Sequence, residues 1–103
     1  MEDILDKLEK ILEDRKSSNS KDSYIAALYK KGNNHICNKV IEEASELIEA
    51  TKESENQIIH ESADLLFHVL VLLASHDIKY ARILEELENR FGTSGIEEKN
   101  NRK

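Results

Sequence analysis

Five carboxylates fall at spacings that can concentrate charge in one place: Glu42, Glu43 and Glu46, then Glu61 and Asp64. Residues three and four apart share a helix face. Glu43 with Glu46, and Glu61 with Asp64, therefore each present two carboxylates side by side, with Glu42 beside the first pair. The second pair belongs to a longer stripe in which Gln57, Glu61, Asp64 and His68 step by four, three and four residues. That stripe runs along an otherwise apolar stretch, Ile58 and Ile59 followed by Leu65, Leu66, Phe67, Val69, Leu70, Val71, Leu72 and Leu73. Asp and Glu are seldom buried unless paired or bound to metal, so the stripe needs a compensating cation. From Glu42 to Asp64 there are eight acids and one base, Lys52. A hard divalent cation answers the need, and oxygen-only donors select Mg²⁺ or Mn²⁺ over zinc or copper. Mg²⁺ keeps several waters and bridges protein carboxylates to substrate phosphates. The chemistry indicated is metal-assisted reaction at a phosphate.

A lone Glu-x-x-Glu on a helix is ordinarily a solvated face, and the case rests on its pairing with a Glu-x-x-Asp inside an apolar helix. A di-iron bundle would want Glu-x-x-His pairs, whereas Asp64 occupies the third place after Glu61 and His68 comes four residues later. His68 has two readings, a hydrogen-bond partner of a metal-ligating carboxylate or a satisfied core histidine. Glu49 lies further round its helix and is expected to face solvent. Cys37 falls on an apolar arc and reads as a small buried hydrophobe. Tyr24 and Tyr29 read as core or interface rings, with Tyr24 also placed to line a nucleotide pocket.

The elements that must position these residues are helices. Ile4, Leu5, Leu8, Ile11 and Leu12 mark an amphipathic helix to about Arg15. A shorter one follows Ser23 and closes at Gly32, with Asn34 suited to cap the next. A third is expected from about His35 to Lys52, a fourth from about Gln57 to Ser75, and a fifth over roughly Lys79 to Arg90. The tail from Phe91 looks irregular. Three glycines and no prolines argue against a turn-rich β architecture. The expectation is one all-α domain over residues 1–103, a bundle of about five helices. The fourth is apolar on nearly every side, so it should be buried on most of them. Four short helices can hardly cover it, and a homodimer is expected to complete the bundle.

Composition excludes other classes. A net charge of −6 with no Lys/Arg block lacks the footprint of a nucleic-acid binder. One cysteine makes neither an intrachain disulfide nor a thiolate zinc site. The start Met1-Glu2-Asp3 is not a signal peptide, and the uncharged run from Leu65 to Ser75 is short for a bilayer. A cytoplasmic protein with no membrane partner is expected.

Glu42-Glu43-Ala44-Ser45-Glu46 followed by Glu61-Ser62-Ala63-Asp64 resembles the EExxE…ExxD signature of the all-α nucleoside-triphosphate pyrophosphatases, the MazG-like superfamily. The segments from Lys39, from Ala63 to Leu73, and from Arg90 through Ser94-Gly95 to Lys99 and Arg102 are similar to the phosphoribosyl-ATP pyrophosphatase family of histidine biosynthesis, over essentially the whole chain. That resemblance implies Mg²⁺-dependent hydrolysis of phosphoribosyl-ATP to phosphoribosyl-AMP and pyrophosphate by a homodimer. Glu43, Glu46, Glu61 and Asp64 would be metal ligands, and Glu42 or Glu46 the proton acceptor. Lys39, Arg90, Ser94, Gly95, Lys99 and Arg102 would bind substrate, the tail ordering over it. Phe67 stands where a tyrosine is common and His60 where an acid is common, and neither is expected to touch the ligands. The alternatives are a house-cleaning (d)NTP pyrophosphatase of the same superfamily, and a non-catalytic helical dimerisation or adaptor module whose acids would be exposed and dispensable.

Overall fold

The computed structural model describes residues 3–18 and 23–92. Three of the five α-helices begin where a short polar side chain takes up a free backbone N–H. Asp3 accepts from the Asp6 amide at 2.8 Å and opens α1, Ile4–Asp14, which ends in a single 3₁₀ turn, Arg15–Ser17. Ser23 Oγ accepts from the Ala26 amide at 3.2 Å and opens α2, Tyr24–Lys31. Ser54 Oγ accepts from the Gln57 amide at 3.1 Å and opens α4, Glu55–Ser75.

The start of α3, Asn33–Ala50, differs from expectation. Gly32 ends α2 and directly precedes α3, at φ 95° and ψ 177°. A side chain disfavours that backbone conformation, and glycine adopts it freely. The chain therefore re-enters a helix at once, leaving Asn34 inside the first turn rather than capping it. At the far end of α4 the Ile78 amide bonds the Leu73 carbonyl at 2.9 Å and the Asp77 amide the Ala74 carbonyl at 3.0 Å. With Asp77 at φ 58°, this is a Schellman stop built on an aspartate. Lys16 Nζ holds the Asp77 carboxylate at 2.6 Å. α5, Tyr80–Phe91, follows.

α3 and α4 form a hairpin about the turn at residues 51–53, and theirs is the most extensive packing among the described residues. The core lies at the end of the hairpin away from that turn. Leu12 from α1, Leu28 from α2, Ile36 from α3, and Leu70, Val71 and Ala74 from α4 are buried together. At ~1.5 Å per residue, α3 and α4 are longer than the cover α1 and α2 provide. The hairpin's turn end is left open, with Ile48 and Ile59 exposed on it.

The expectation that α4 is buried on most sides fails for a single chain. Only His68, Leu70, Val71 and Ala74 are buried along it, all in its second half. α4 is long and apolar enough to cross a membrane by length and composition, yet it carries Glu61, Asp64 and His68 and packs on α3. α5 is fastened at its first residue, where the Tyr80 amide bonds Glu9 Oε2 at 2.8 Å and the Tyr80 hydroxyl donates to Asp6. Beyond that it buries nothing, and Ile83, Leu84, Leu87 and Phe91 are exposed.

Candidate active site

The open half of the hairpin is where the carboxylates meet. On α3, Glu43 turns inward and is 8% exposed, while Glu42 and Glu46 remain exposed. On α4, Glu61 and Asp64 are half-buried and Gln57 is exposed. The stripe expected to be buried is thus buried only at His68, because α1 and α2 do not reach its first half. The buried acid is instead Glu43.

Carboxylate oxygens of Glu43, Glu46 and Glu61 lie within 4.8 Å of one another. Among the described residues no lysine or arginine pairs with any of the three. Glu43 Oε2 is buried without a hydrogen-bond partner. Burial, and then the neighbouring Glu46 carboxylate, push the Glu43 carboxyl above its ordinary range. Glu61 is pushed up as well, by desolvation first and then by Glu46 and Asp64. An all-oxygen cluster in which Glu43 and Glu61 resist ionisation, with one buried lone pair unused, fits a hard divalent cation.

His68 is buried with both ring nitrogens engaged. Nδ1 lies 2.8 Å from the Asp64 backbone carbonyl, and Nε2 lies 2.9 Å from the Tyr24 hydroxyl. A carbonyl only accepts, so Nδ1 carries the proton and, in the neutral ring, Nε2 accepts from Tyr24. His68 thus grips the main chain at Asp64 rather than a carboxylate. Tyr24 in turn stacks on Phe67, with centroids 6.4 Å apart. Lys39 Nζ is 3.1 Å from Glu42 Oε2, which places an ammonium one turn before the cluster. Arg90 is exposed on α5 and pairs with Glu86 at 2.9 Å, and the described contacts do not gather it with the carboxylates. Ser94, Gly95, Lys99 and Arg102 lie outside the described residues. Glu49 is exposed and pairs with Lys52 at 3.5 Å, and Cys37 is only half-buried.

One neighbour was missed in the sequence. His60 Nε2 lies 3.4 Å from Asp64 Oδ2, so it does touch a proposed ligand. The spacing of four residues on one helix was the available signal.

A family model described as phosphoribosyl-ATP pyrophosphohydrolase matches residues 5–91. The chain belongs to that family. Among curated relatives, it is 52% identical to the phosphoribosyl-ATP pyrophosphatase of Vesicomyosocius okutanii over 103 residues, covering 99% of this chain and 98% of that one. It is 50% identical to the phosphoribosyl-ATP pyrophosphatase of Nitrosomonas eutropha over 97 residues, 93% of this chain and 83% of the relative. It is also 52% identical over 101 residues to the histidine biosynthesis bifunctional protein HisIE of Helicobacter hepaticus, 97% of this chain and 44% of that protein. The phosphoribosyl-ATP pyrophosphohydrolase match reaches into every α-helix and includes Glu43, Glu46, Glu61, Asp64 and Lys39.

Proposed function

We propose that this chain hydrolyses phosphoribosyl-ATP to phosphoribosyl-AMP and pyrophosphate, the second step of histidine biosynthesis, using Mg²⁺ (or Mn²⁺) held by Glu43, Glu46, Glu61 and Asp64. Membership of the phosphoribosyl-ATP pyrophosphohydrolase family supports the reaction. The observation that supports the cation is Glu43, whose buried Oε2 has no partner and whose carboxylate lies within 4.8 Å of two others. When bound, the cation neutralises phosphate oxygens that would repel a nucleophile and lowers the pKa of water.

The chain's own residues do the rest. Water attacks phosphorus, the α–β anhydride bond breaks, pyrophosphate leaves with the bonding electrons, and the water proton passes to a carboxylate. Glu46 is exposed beside Glu43 and Glu61, and Glu42 is exposed beside Lys39. Both are placed to accept that proton. Lys39 meets a phosphate oxygen by exchanging Glu42 for it. His68 fixes the backbone at Asp64 and so the direction of that carboxylate. Arg90, Ser94, Gly95, Lys99 and Arg102 remain the proposed cations and hydrogen-bond donors from the C-terminal side.

The active form is a homodimer. Its support is the apolar surface one chain leaves open, with Ile41 and Ile48 on α3, Ile59 and Leu66 on α4 and four residues of α5. The protein acts in the cytoplasm, where a highly charged nucleotide is retained. It takes neither nucleic acid nor membrane as partner, consistent with its net charge of −6.

The test is pyrophosphate release from phosphoribosyl-ATP and from a panel of NTPs and dNTPs, with and without Mg²⁺, for wild type and Glu46→Gln. Metal-dependent release from phosphoribosyl-ATP, lost in Glu46→Gln, is expected. Turnover of dNTPs instead would overturn the substrate and keep the cation, and metal-independent release would overturn the cation.

A further inference from the structure

Three rings gather where the covered half of the hairpin meets the open half. Tyr24, the first residue of α2, lies over Phe67 with centroids 6.4 Å apart and planes inclined at 23°. His68 meets both rings edge-on, 6.1 Å from Tyr24 and 5.0 Å from Phe67. The Tyr24 hydroxyl is committed to His68 Nε2 at 2.9 Å, so the ring is held by its edge and by one face. Tyr24 is nevertheless 54% exposed. The fold fixes this ring without hiding it, and the part left for a ligand is its π face. His68 joins the ring to the carboxylate site, since Nδ1 bonds the Asp64 carbonyl one turn away. Lys39 lies on the same side, held above its ordinary range by Glu42 first and then by Tyr24.

A fixed aromatic face is selective for charge, because its negative potential attracts a cation placed over it. A phenol that donates its proton to an acceptor becomes richer in electrons, which strengthens that attraction. In phosphoribosyl-ATP the added sugar is bonded to N1 of adenine, and an adenine alkylated at N1 carries a positive charge at neutral pH. The base of ATP is neutral. We propose that Tyr24, backed by Phe67, stacks on the N1-substituted adenine and selects it over ordinary adenine by its positive charge. This rests on the hydrolysis reading above and adds to it the recognition of the base. The Lys39 ammonium, paired with Glu42 at 3.1 Å, is neutralised and leaves room for a second positive charge.

The experiment measures binding of AMP, 1-methyl-AMP and N6-methyl-AMP to the full chain with Mg²⁺ by calorimetry, with phosphoribosyl-ATP turnover assayed in parallel. The two methylated nucleotides are isomers, and only the first has a cationic base. None has an anhydride bond to cleave. Wild type is expected to bind 1-methyl-AMP about 2- to 30-fold more tightly than either of the others. Tyr24→Leu is expected to abolish that preference and to raise KM for phosphoribosyl-ATP with kcat little changed. Tyr24→Phe keeps a ring without the hydroxyl and is expected to keep the preference, reduced. Absence of a preference in the wild type, or a preference that survives Tyr24→Leu, overturns the proposal. Turnover of phosphoribosyl-ATP then leaves the hydrolysis reading standing, and no turnover overturns that reading as well.

Discussion

At Glu43 the fold holds a carboxylate out of water with Glu46 beside it, and both influences favour its protonated form. Glu61 is shifted in the same direction. In the unfolded chain these groups ionise near their ordinary value of 4.5, and in the folded chain at higher pH. The native state therefore keeps protons that the unfolded state has released. That contribution favours folding below 4.5 and is lost as pH rises through the folded values. Asp77 works in the opposite sense, because Lys16 holds it below its ordinary 3.8, but its stability is lost only at lower pH still. Metal-free protein is accordingly expected to melt at a higher temperature near about pH 5 than near about pH 7. Saturating Mg²⁺ should reverse the order, since cation binding needs the ionised carboxylates. Thermal melts with chelator and with Mg²⁺ check both. Glu43→Gln should stabilise the metal-free protein at neutral pH by about 1 kcal/mol, by removing a buried charge that has no partner. It should also abolish the Mg²⁺-induced rise in Tm, and calorimetry reads both changes.

At the scale of elements, the joint between α2 and α3 depends on one residue. A Cβ at Gly32 would meet nothing within 4 Å, so the space is free and only the backbone objects. Gly32→Ala is expected to cost about 1–3 kcal/mol from the backbone at φ 95°, seen as a lower urea midpoint with an unchanged m-value. Much of this layer was legible in the sequence. Ser23 and Ser54 cap where polar residues precede apolar periodicity, and Gly32 ends α2 as expected. Asn34 was misread because asparagine is a good cap in general, whereas the turn had already been completed at Gly32. α4 stops at Ser75 as expected, but the left-handed Asp77 that completes the stop was not read from the sequence, since the Lys16 that holds its side chain lies 61 residues away along the chain.

On the scale of the whole molecule, the described residues leave much of α4 and α5 uncovered. The radius of gyration is 16.5 Å, against ~13 Å for a compact chain of about 100 residues. α5 buries none of its length, although its apolar residues fall on one face. A second copy laid against α4 and α5 would cover both, and light scattering is expected to give twice the 11.8 kDa chain mass. Leu87→Glu replaces a residue that is exposed in one chain, where a surface change would ordinarily alter stability by less than about 0.5 kcal/mol. A monomeric mass together with a fall in Tm of several degrees would report the loss of an interface. An unchanged mass and Tm would remove α5 from it.

Helix periods, caps and the pairing of Glu-x-x-Glu with Glu-x-x-Asp are local properties, repeated every three or four residues, and the sequence alone determined them. It also showed eight acids against one base between Glu42 and Asp64, which is the ground for proposing a cation. Burial is not local. Which half of α4 is covered depends on how far α1 and α2 reach along the hairpin, and they reach His68 but not Glu61. Only the tertiary structure therefore decided that Glu43 is the buried acid and that His68 meets the Tyr24 hydroxyl.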